Sequence, residues 1–246
     1  MIFDIFKSKP TLKELIPNGS IDIHSHILPG IDDGSTNFKE SKKLIDGYLS
    51  LGFKKIIATP HVYEGIYPNS SFTIKESFDS INTLSKKIKI DYAAEYMADS
   101  SLLKKIEEKS VLTLDQNHVL IEMSYFSFNS LIYDIIFLLR INNYIPVLAH
   151  PERYIYLNNN FKVFKKLKRQ GCLFQLNMLS VTGGYGRNVL KLSEKLVKED
   201  MCDFIGSDIH NYRDIKGINK LKVKFKNAKA INKLKELFER TNKVFI

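Results

Sequence analysis

Seven short apolar runs alternate with segments of helical periodicity along this chain, and this alternation constrains the fold more than any other feature. The runs predict strands at 21–26, 54–58, 90–95, 118–122, 145–149, 172–177 and 203–206. Such alternation, without an internal repeat, is typical of an α/β fold with a mainly parallel sheet. Seven units suit a closed or nearly closed barrel, and a doubly wound open sheet is the alternative.

The segments between these runs predict the helices and loops. Helices are expected at 37–51, 74–88, 100–109, 130–141, 161–169 and 189–199. Asn37 with Glu40 resembles a capping box at the start of the first of these, and Gly52 ends it. Residues 62–71 are rich in Tyr, Gly, Pro and Asn and predict a long loop at a substrate entrance. Residues 1–20 are expected to be an N-terminal lead-in, and residues 21–246 a single domain.

Charge and hydropathy indicate a cytoplasmic protein with an anionic partner. The formal net charge is +10, and much of the excess comes from Lys216 onward. No apolar run reaches the ~18 residues of a membrane span. The opening segment, Met1 to Lys7, carries Asp4 and lacks a basic start and a cleavage site, so we do not expect it to act as a signal peptide.

The two cysteines exclude one class of phosphatase. Cys172 and Cys202 begin apolar runs, which suits buried, reduced thiols. A phosphatase with a cysteine nucleophile needs an arginine six residues after the cysteine, but those positions hold Met178 and Asp208.

Histidine and carboxylate side chains collect at the C-terminal ends of the predicted strands. His24 and His26 alternate along the first strand, so both imidazoles point to one face and form a chelating pair. The others follow the same rule: Asp33 in the loop after strand one, His61 after strand two, Glu95 and Glu122 at the ends of strands three and four, His150 after strand five, and Asp208 with His210 after strand seven. In an α/β barrel these ends converge on one opening.

Such a concentration of ligand groups predicts a metal centre. Nine carboxylate and imidazole groups that converge on one mouth would repel one another or lose hydration unless cations were present. Nine ligands exceed the needs of one ion, so two or three divalent ions are implied, and the mixed donors suit Mn²⁺, Fe or Zn²⁺. His118 precedes strand four and is expected at the opposite end of the barrel, with a structural role or an exposed position.

Several strings resemble one protein family. They are DIHSHILPGIDDGS, ATPH, AAEYM, VLIEM, AHPERY, QLNMLSVTGGYG and GSDIHN, and they span about Ile21 to Asn211. They are similar to the PHP (polymerase and histidinol phosphatase) superfamily, and within it to the metal-dependent tyrosine-protein phosphatases of the CpsB/YwqE group. The resemblance implies a distorted seven-stranded (β/α) barrel of PHP type that forms a single catalytic domain over residues 21–246.

The resemblance also implies roles for individual residues. His24, His26, Glu95 and Asp208 would hold a first ion; Glu95 would bridge to a second ion shared with Glu122 and His150; Asp33, His61 and His210 would hold a third. Arg153 matches a phosphate-binding arginine. Arg213, at a different spacing, is the nearest candidate for a second. Arg153, Asp208 and His210 are therefore the residues implied for catalysis.

The implied reaction is hydrolysis of a phosphoric monoester. A hydroxide bridging two metal ions, for which the resemblance favours Mn²⁺, would attack phosphotyrosine in line, without a phosphoenzyme. The resemblance implies that the substrate is the C-terminal tail of a bacterial tyrosine kinase that controls capsule or exopolysaccharide synthesis. Nucleic acid is not expected as a partner, and the sequence leaves open whether the chain forms an oligomer.

Two other functions compete with this one. Another PHP phosphoesterase, such as a histidinol phosphatase, would share most of the metal ligands. A non-catalytic basic module stabilised by metal is the second alternative, because Lys220, Lys222, Lys224 and Lys226 alternate with apolar residues. A solvated face is the preferred explanation of that alternation, because the lysines are not interleaved with an aromatic stacking motif of the kind that binds nucleic acid.

Overall fold

The computed structural model describes residues 9–81, 83–84 and 88–246. Strands within these residues lie at Ser20–Asp22 (β1), Phe53–Ala58 (β2), His61–Val62 (β3), Lys89–Tyr92 (β4), Glu95–Met97 (β5), His118–Glu122 (β6), Ile145–Ala149 (β7), Leu173–Asn177 (β8) and Phe204–Gly206 (β9). Helices lie at Leu12–Leu15 (α1), Phe38–Leu51 (α2), Ser71–Ile81 (α3), Ser100–Glu107 (α4), Leu131–Ile141 (α5), Phe161–Arg169 (α6), Arg187–Lys198 (α7), Tyr212–Lys220 (α8) and Ala228–Val244 (α9). Short 3-10 turns follow β7 and β8.

The strands form two sheets, in the orders β1-β2-β4 and β3-β5-β6-β7-β8-β9, and every pairing between them is parallel. Two strand positions are each split in two, and backbone hydrogen bonds continue across the splits. Ala93 N donates to Ala58 O at 2.7 Å, and Glu95 N donates to Pro60 O at 3.0 Å. β2 and β3 therefore occupy one strand position of a continuous sheet, and β4 and β5 occupy the next.

Backbone hydrogen bonds between the segments that follow β1 and β9 close this sheet into a barrel. Asp208 N donates to His24 O at 2.8 Å, and His26 N donates to Ile209 O at 2.9 Å. Seven strand positions thus surround one interior, which confirms the distorted seven-stranded barrel and rules out the doubly wound open sheet. Among the described residues, no helix is long and apolar enough to cross a membrane.

Most element predictions are confirmed, with two corrections that affect the site. The predicted first strand, 21–26, is shorter, because β1 ends at Asp22 and both His24 and His26 follow it. The predicted third strand, 90–95, is interrupted at Ala93 and Ala94, so Glu95 begins β5 instead of ending a continuous strand. The Asn37 side chain accepts from Glu40 N as predicted, but the Glu40 carboxylate accepts from Thr36 N, so the capping box is only half formed. The end of the predicted helix 74–88 includes residues 82 and 85–87, which lie outside the described residues.

The barrel is filled from its N-terminal end by apolar side chains. The inner layer contains Ile21, Ile23, Ile57, Ala93, Leu114, Leu120, Val147, Ala149, Phe204 and Phe245. His118 is buried at that end, where its Nδ1 lies 2.8 Å from Asp115 Oδ2 and its ring meets Phe204 and Phe245 edge-on. Its predicted structural role is confirmed. The predicted ligand residues lie at the opposite mouth.

Candidate metal centre

The mouth at the C-terminal ends of the strands gathers all the predicted ligand residues. Each belongs to at least one group of possible ligand atoms that lie within 4.8 Å of one another. The groups are His26, Asp33, His61 and His210; His24, His150 and Asp208; His24, His26 and Glu95; and His61, Glu95 and Glu122. Except for Asp33, His61 and His210, these side chains are buried.

Four atoms at the centre have the spacing of a metal coordination shell. His24 Nε2 lies 3.2 Å from His26 Nε2, 3.2 Å from Glu95 Oε2 and 3.3 Å from Asp208 Oδ1. His26 Nε2 lies 3.5 Å from Glu95 Oε2 and 3.3 Å from Asp208 Oδ1. Ligands about 2.0–2.2 Å from a tetrahedral ion are about 3.3–3.6 Å apart. The residues present therefore fit a divalent cation at this point.

A second arrangement of the same kind surrounds His61. Its Nδ1 lies 2.9 Å from Glu122 Oε1 and 3.1 Å from Glu95 Oε2. Among the described residues, neither His61 Nδ1 nor Glu95 Oε2 has a hydrogen-bond partner, although both are buried. Buried polar atoms are rarely left unpaired, so a cation between them satisfies both.

His61 also takes part in the outermost group. Its Nε2 lies 3.5 Å from Asp33 Oδ1, and His210 Nε2 lies 3.3 Å from the same oxygen. His210 Nδ1 is 3.0 Å from Asp208 O, which leaves Nε2 free to bind an ion. His26 stacks on His210 with ring centroids 3.9 Å apart and belongs to this group too.

One detail of the implied ligand sets differs from the geometry. The resemblance groups Glu122 with His150, but Glu122 falls in a group with His61 and Glu95. His150 Nε2 lies 2.9 Å from Glu95 Oε1 and shares a group with His24 and Asp208. The two oxygens of Glu95 thus face different histidines, which suits a carboxylate that bridges two ions.

The pKa shifts of the carboxylates and of His61 also indicate that the centre lacks positive charge. Burial would raise the pKa of Glu95, but His24 and His61 hold it well below its ordinary value. Burial and the charge of Glu95 raise the pKa of Glu122. Burial and His26 lower the pKa of His61, yet the two carboxylates outweigh them and bring it to about 10. Without metal, a proton on His61 therefore stands in for a cation.

Two buried partners set the tautomers of the central histidines. His24 Nδ1 lies 2.8 Å from Gln175 Oε1, while the Gln175 amide donates to Leu176 O. His26 Nδ1 lies 2.7 Å from Asp32 Oδ2. Both contacts place the imidazole proton on Nδ1 and direct the lone pair of Nε2 into the centre.

The Asp208 carboxylate links the metal centre to Arg153. Its Oδ1 faces the histidines, while Oδ2 accepts from Arg153 Nη1 at 2.7 Å and from Asn177 Nδ2 at 2.8 Å. The guanidinium carbon lies 4.6 Å from the ring centroid of Tyr125 and 4.5 Å from that of Tyr185. These two aromatic contacts restrict the guanidinium at the mouth.

Arg213 is placed differently. It lies exposed in the first turn of α8, where its backbone N–H donates to Asn211 Oδ1. Among the described residues its side chain makes no hydrogen bond or ion pair. The structure therefore brings Arg153, but not Arg213, into contact with the cluster.

The backbone at the mouth is constrained. His150 and Asp208 have φ of 35° and 56°, in the left-handed region that non-glycine residues seldom adopt. Such residues concentrate at functional sites. A Cβ on Gly34 would lie 2.1 Å from His26 O, so only glycine lets the Asp32–Asp33 turn pack on His26.

Sequence reasoning missed the supporting residues Asp32, Gln175, Asn177, Tyr125 and Tyr185. Asp32 adjoins the predicted ligand Asp33, and nothing in the sequence indicates which of the two carboxylates supports a histidine and which faces the metal. Gln175 and Asn177 did leave one, because they are polar residues two apart in an otherwise apolar strand and so share a face.

Comparison with known proteins places this geometry in context. Residues 20–235 match the sequence profile of a family described as "Capsular polysaccharide synthesis, CpsB/CapC". Tyrosine-protein phosphatase YwqE of Bacillus subtilis is 30% identical over 200 residues, which cover 78% of each chain. Tyrosine-protein phosphatase CpsB of Streptococcus pneumoniae is 31% identical over 201 residues, 78% of this chain and 83% of CpsB.

Solved structures agree with this match. A chain from the crystal structures of YwqE from Bacillus subtilis and CpsB from Streptococcus pneumoniae, described as metal-dependent tyrosine phosphatases, superposes with a TM-score of 0.75. It is 26% identical, and the match covers 90% of this chain and 95% of that one. An amidohydrolase from Mycoplasma synoviae shares the fold alone, with a TM-score of 0.51 and 12% identity over 95% of this chain and 89% of its own.

Proposed function

We propose that this chain, which belongs to the CpsB/CapC family of capsular polysaccharide synthesis proteins, is a metal-dependent protein-tyrosine phosphatase. Relatives named as tyrosine-protein phosphatases support the substrate class. The observation that carries the metal dependence is the set of four ligand atoms at coordination spacing around His24.

We propose two or three divalent ions at this centre, with Mn²⁺ first and Fe or Zn²⁺ as alternatives. The residues that would hold them are His24, His26, Asp33, His61, Glu95, Glu122, His150, Asp208 and His210. Such ions activate water for in-line attack on a phosphoryl group and neutralise its charge. Mixed imidazole and carboxylate donors support this choice of metals.

Arg153 would bind and orient the phosphate. A guanidinium has five N–H donors, and the bond to Asp208 uses only one nitrogen, so donors remain for phosphate oxygens. The rings of Tyr125 and Tyr185 restrict the guanidinium, which lowers the entropy lost when those donors engage. Stabilisation of the charge that develops on the phosphoryl oxygens follows from this placement.

Departure of the leaving group requires little proton donation from the protein. His210 directs Nδ1 at the Asp208 carbonyl, so its Nε2 is better suited to hold a metal than to protonate a leaving oxygen. A phenolate departs without a strong general acid. Burial raises the pKa of Cys172 to about 12, and Cys202 is buried as well, which supports a mechanism without a cysteine phosphoenzyme.

The proposed partner is the phosphotyrosine tail of a bacterial tyrosine kinase that controls capsule or exopolysaccharide synthesis. The net charge of +10 supports attraction of an acidic phosphorylated segment. Two buried free thiols suit a reducing compartment, which supports a cytoplasmic location.

The test compares phosphate release from a phosphotyrosine peptide and from histidinol phosphate, with metal-loaded enzyme at equal substrate concentration. We expect a higher kcat/KM for the peptide and no turnover by His150→Ala or Asp208→Ala. Preference for histidinol phosphate would instead assign the centre to another PHP phosphoesterase. No hydrolysis of either, with metal bound, would favour the non-catalytic module.

A further inference from the structure

The helices α6 and α7 form a strongly basic part of the surface outside the metal centre. Together they hold nine cationic side chains and one acidic side chain, a net charge of +8 in a chain whose total is +10. Eight of the nine are exposed, and we call these eight the basic face: Lys162, Lys165, Lys166, Arg169, Arg187, Lys191, Lys195 and Lys198.

The basic face lacks internal compensation. Of the nine cations, only Lys168 forms an ion pair with a described residue, and its partner is Asp203. The single acid, Glu194, accepts from the backbone N–H groups of Lys226 and Asn227, so its charge is already engaged. Glu199 and Asp200 adjoin the C-terminal end of α7 and leave the rest of the face positive.

The two helices form one continuous surface outside the barrel. Lys195 of α7 lies with its Nζ 4.1 Å above the ring of Phe161 of α6. A groove beside α7 adds Lys226 to Lys191, Lys195 and Lys198, and its acidic residues are Glu194 and Glu199. None of these cations contacts a residue of the metal centre, so catalysis does not account for them.

We propose that the basic face docks the protein on an anionic lipid bilayer. Six of its eight cations are lysines, which act as point charges, whereas recognition of a defined phosphate favours the arginine fork. The aromatic ring on it, Phe161, is covered by Lys195 and cannot stack on bases. Ile155, 48% exposed on the turn that packs against α7, supplies an apolar contact beside the charges.

Sedimentation with vesicles tests this proposal. We expect the metal-loaded protein to bind vesicles of phosphatidylcholine with phosphatidylglycerol, to ignore vesicles of phosphatidylcholine alone, and to dissociate at high salt. Replacing Lys162, Lys165, Lys191 and Lys198 with Gln should weaken binding more than ~10-fold. The matched control replaces Lys39, Lys42, Lys89 and Lys104 with Gln, which removes the same charge from other surfaces.

The controls make the outcome decisive. Both variants should keep the wild-type thermal midpoint and the wild-type hydrolysis of p-nitrophenyl phosphate, so vesicle binding is measured independently of the proposed function. Equal loss in the two variants would attribute binding to net charge and overturn the proposal. So would failure of the wild type to bind anionic vesicles, or a rise in KM for an acidic phosphotyrosine peptide in the face variant with vesicle binding unchanged.

Discussion

Oδ2 of Asp32 lies 2.7 Å from Nδ1 of His26. The Asp32 carboxylate is not one of the proposed metal ligands, but it fixes the orientation of His26, which is one. The same carboxylate accepts from Gly34 N at 2.9 Å and from His61 N at 3.2 Å. One side chain therefore positions two proposed ligands. This carboxylate–histidine arrangement is the usual support for a metal-bound histidine.

Asp32→Asn should weaken metal binding while leaving the fold intact. The amide keeps the shape but removes the charge that holds the Nδ1 proton of His26, so we expect Mn²⁺ affinity to fall ~10–100-fold. Titration of activity against Mn²⁺ measures this, and kcat at saturating metal should change much less. Asp46→Asn, at an exposed position of α2, is the control and should behave as wild type. Unchanged affinity in Asp32→Asn would remove this role.

Substitutions of the two candidate arginines should have clearly different effects on kcat/KM. Arg153→Lys replaces the planar fork of five donors with one compact ammonium, which spans Asp208 and a phosphate less well, so we expect kcat/KM to fall ~10²–10³-fold with metal content unchanged. Arg213→Lys should stay near wild type, because the exposed Arg213 side chain makes no hydrogen bond or ion pair with a described residue of the cluster. A similar loss in both would assign Arg213 a role in binding phosphate as well.

Gly34→Ala should abolish the site through sterics alone. The new Cβ would meet His26 O at 2.1 Å and His26 Cβ at 2.4 Å, so the turn that carries Asp32 and Asp33 must move. We expect loss of Mn²⁺ binding and a lower thermal midpoint. Gly184→Ala is matched, because its Cβ would find its nearest neighbours at 3.5 and 3.6 Å. Full activity of Gly34→Ala would contradict the packing described above.

Metal-free protein should lose stability as pH rises. The pKa of His61 is about 10 in the folded chain and 6.5 as its ordinary value, so its contribution is complete below pH 6.5 and disappears as pH rises toward 10. We expect the thermal midpoint of the metal-free protein to fall over that range. Bound Mn²⁺ replaces the proton, so the loaded protein should be much less sensitive. A midpoint that rises with pH in the metal-free state would refute this.

Periodicity predicted the elements well because each depends on nearby residues, as in α2, where Asn37 and Gly52 mark both ends. The split at Thr59 and Pro60 had a visible cause, since proline has no N–H for the ladder, but the split at Ala93 and Ala94 had none. Barrel closure depends on a hydrogen bond between Asp208 and His24, residues distant in sequence. Periodicity places the ligands at one mouth but does not assign their partners.

The most direct measurement is phosphate release from a phosphotyrosine peptide by protein stripped of metal with a chelator and then titrated with Mn²⁺. We predict no turnover in the stripped protein and recovery that saturates at two or three ions per chain. His150→Ala should not recover at any Mn²⁺ concentration. Undiminished hydrolysis by the stripped protein, with metal content verified as negligible, would contradict a metal-dependent phosphatase.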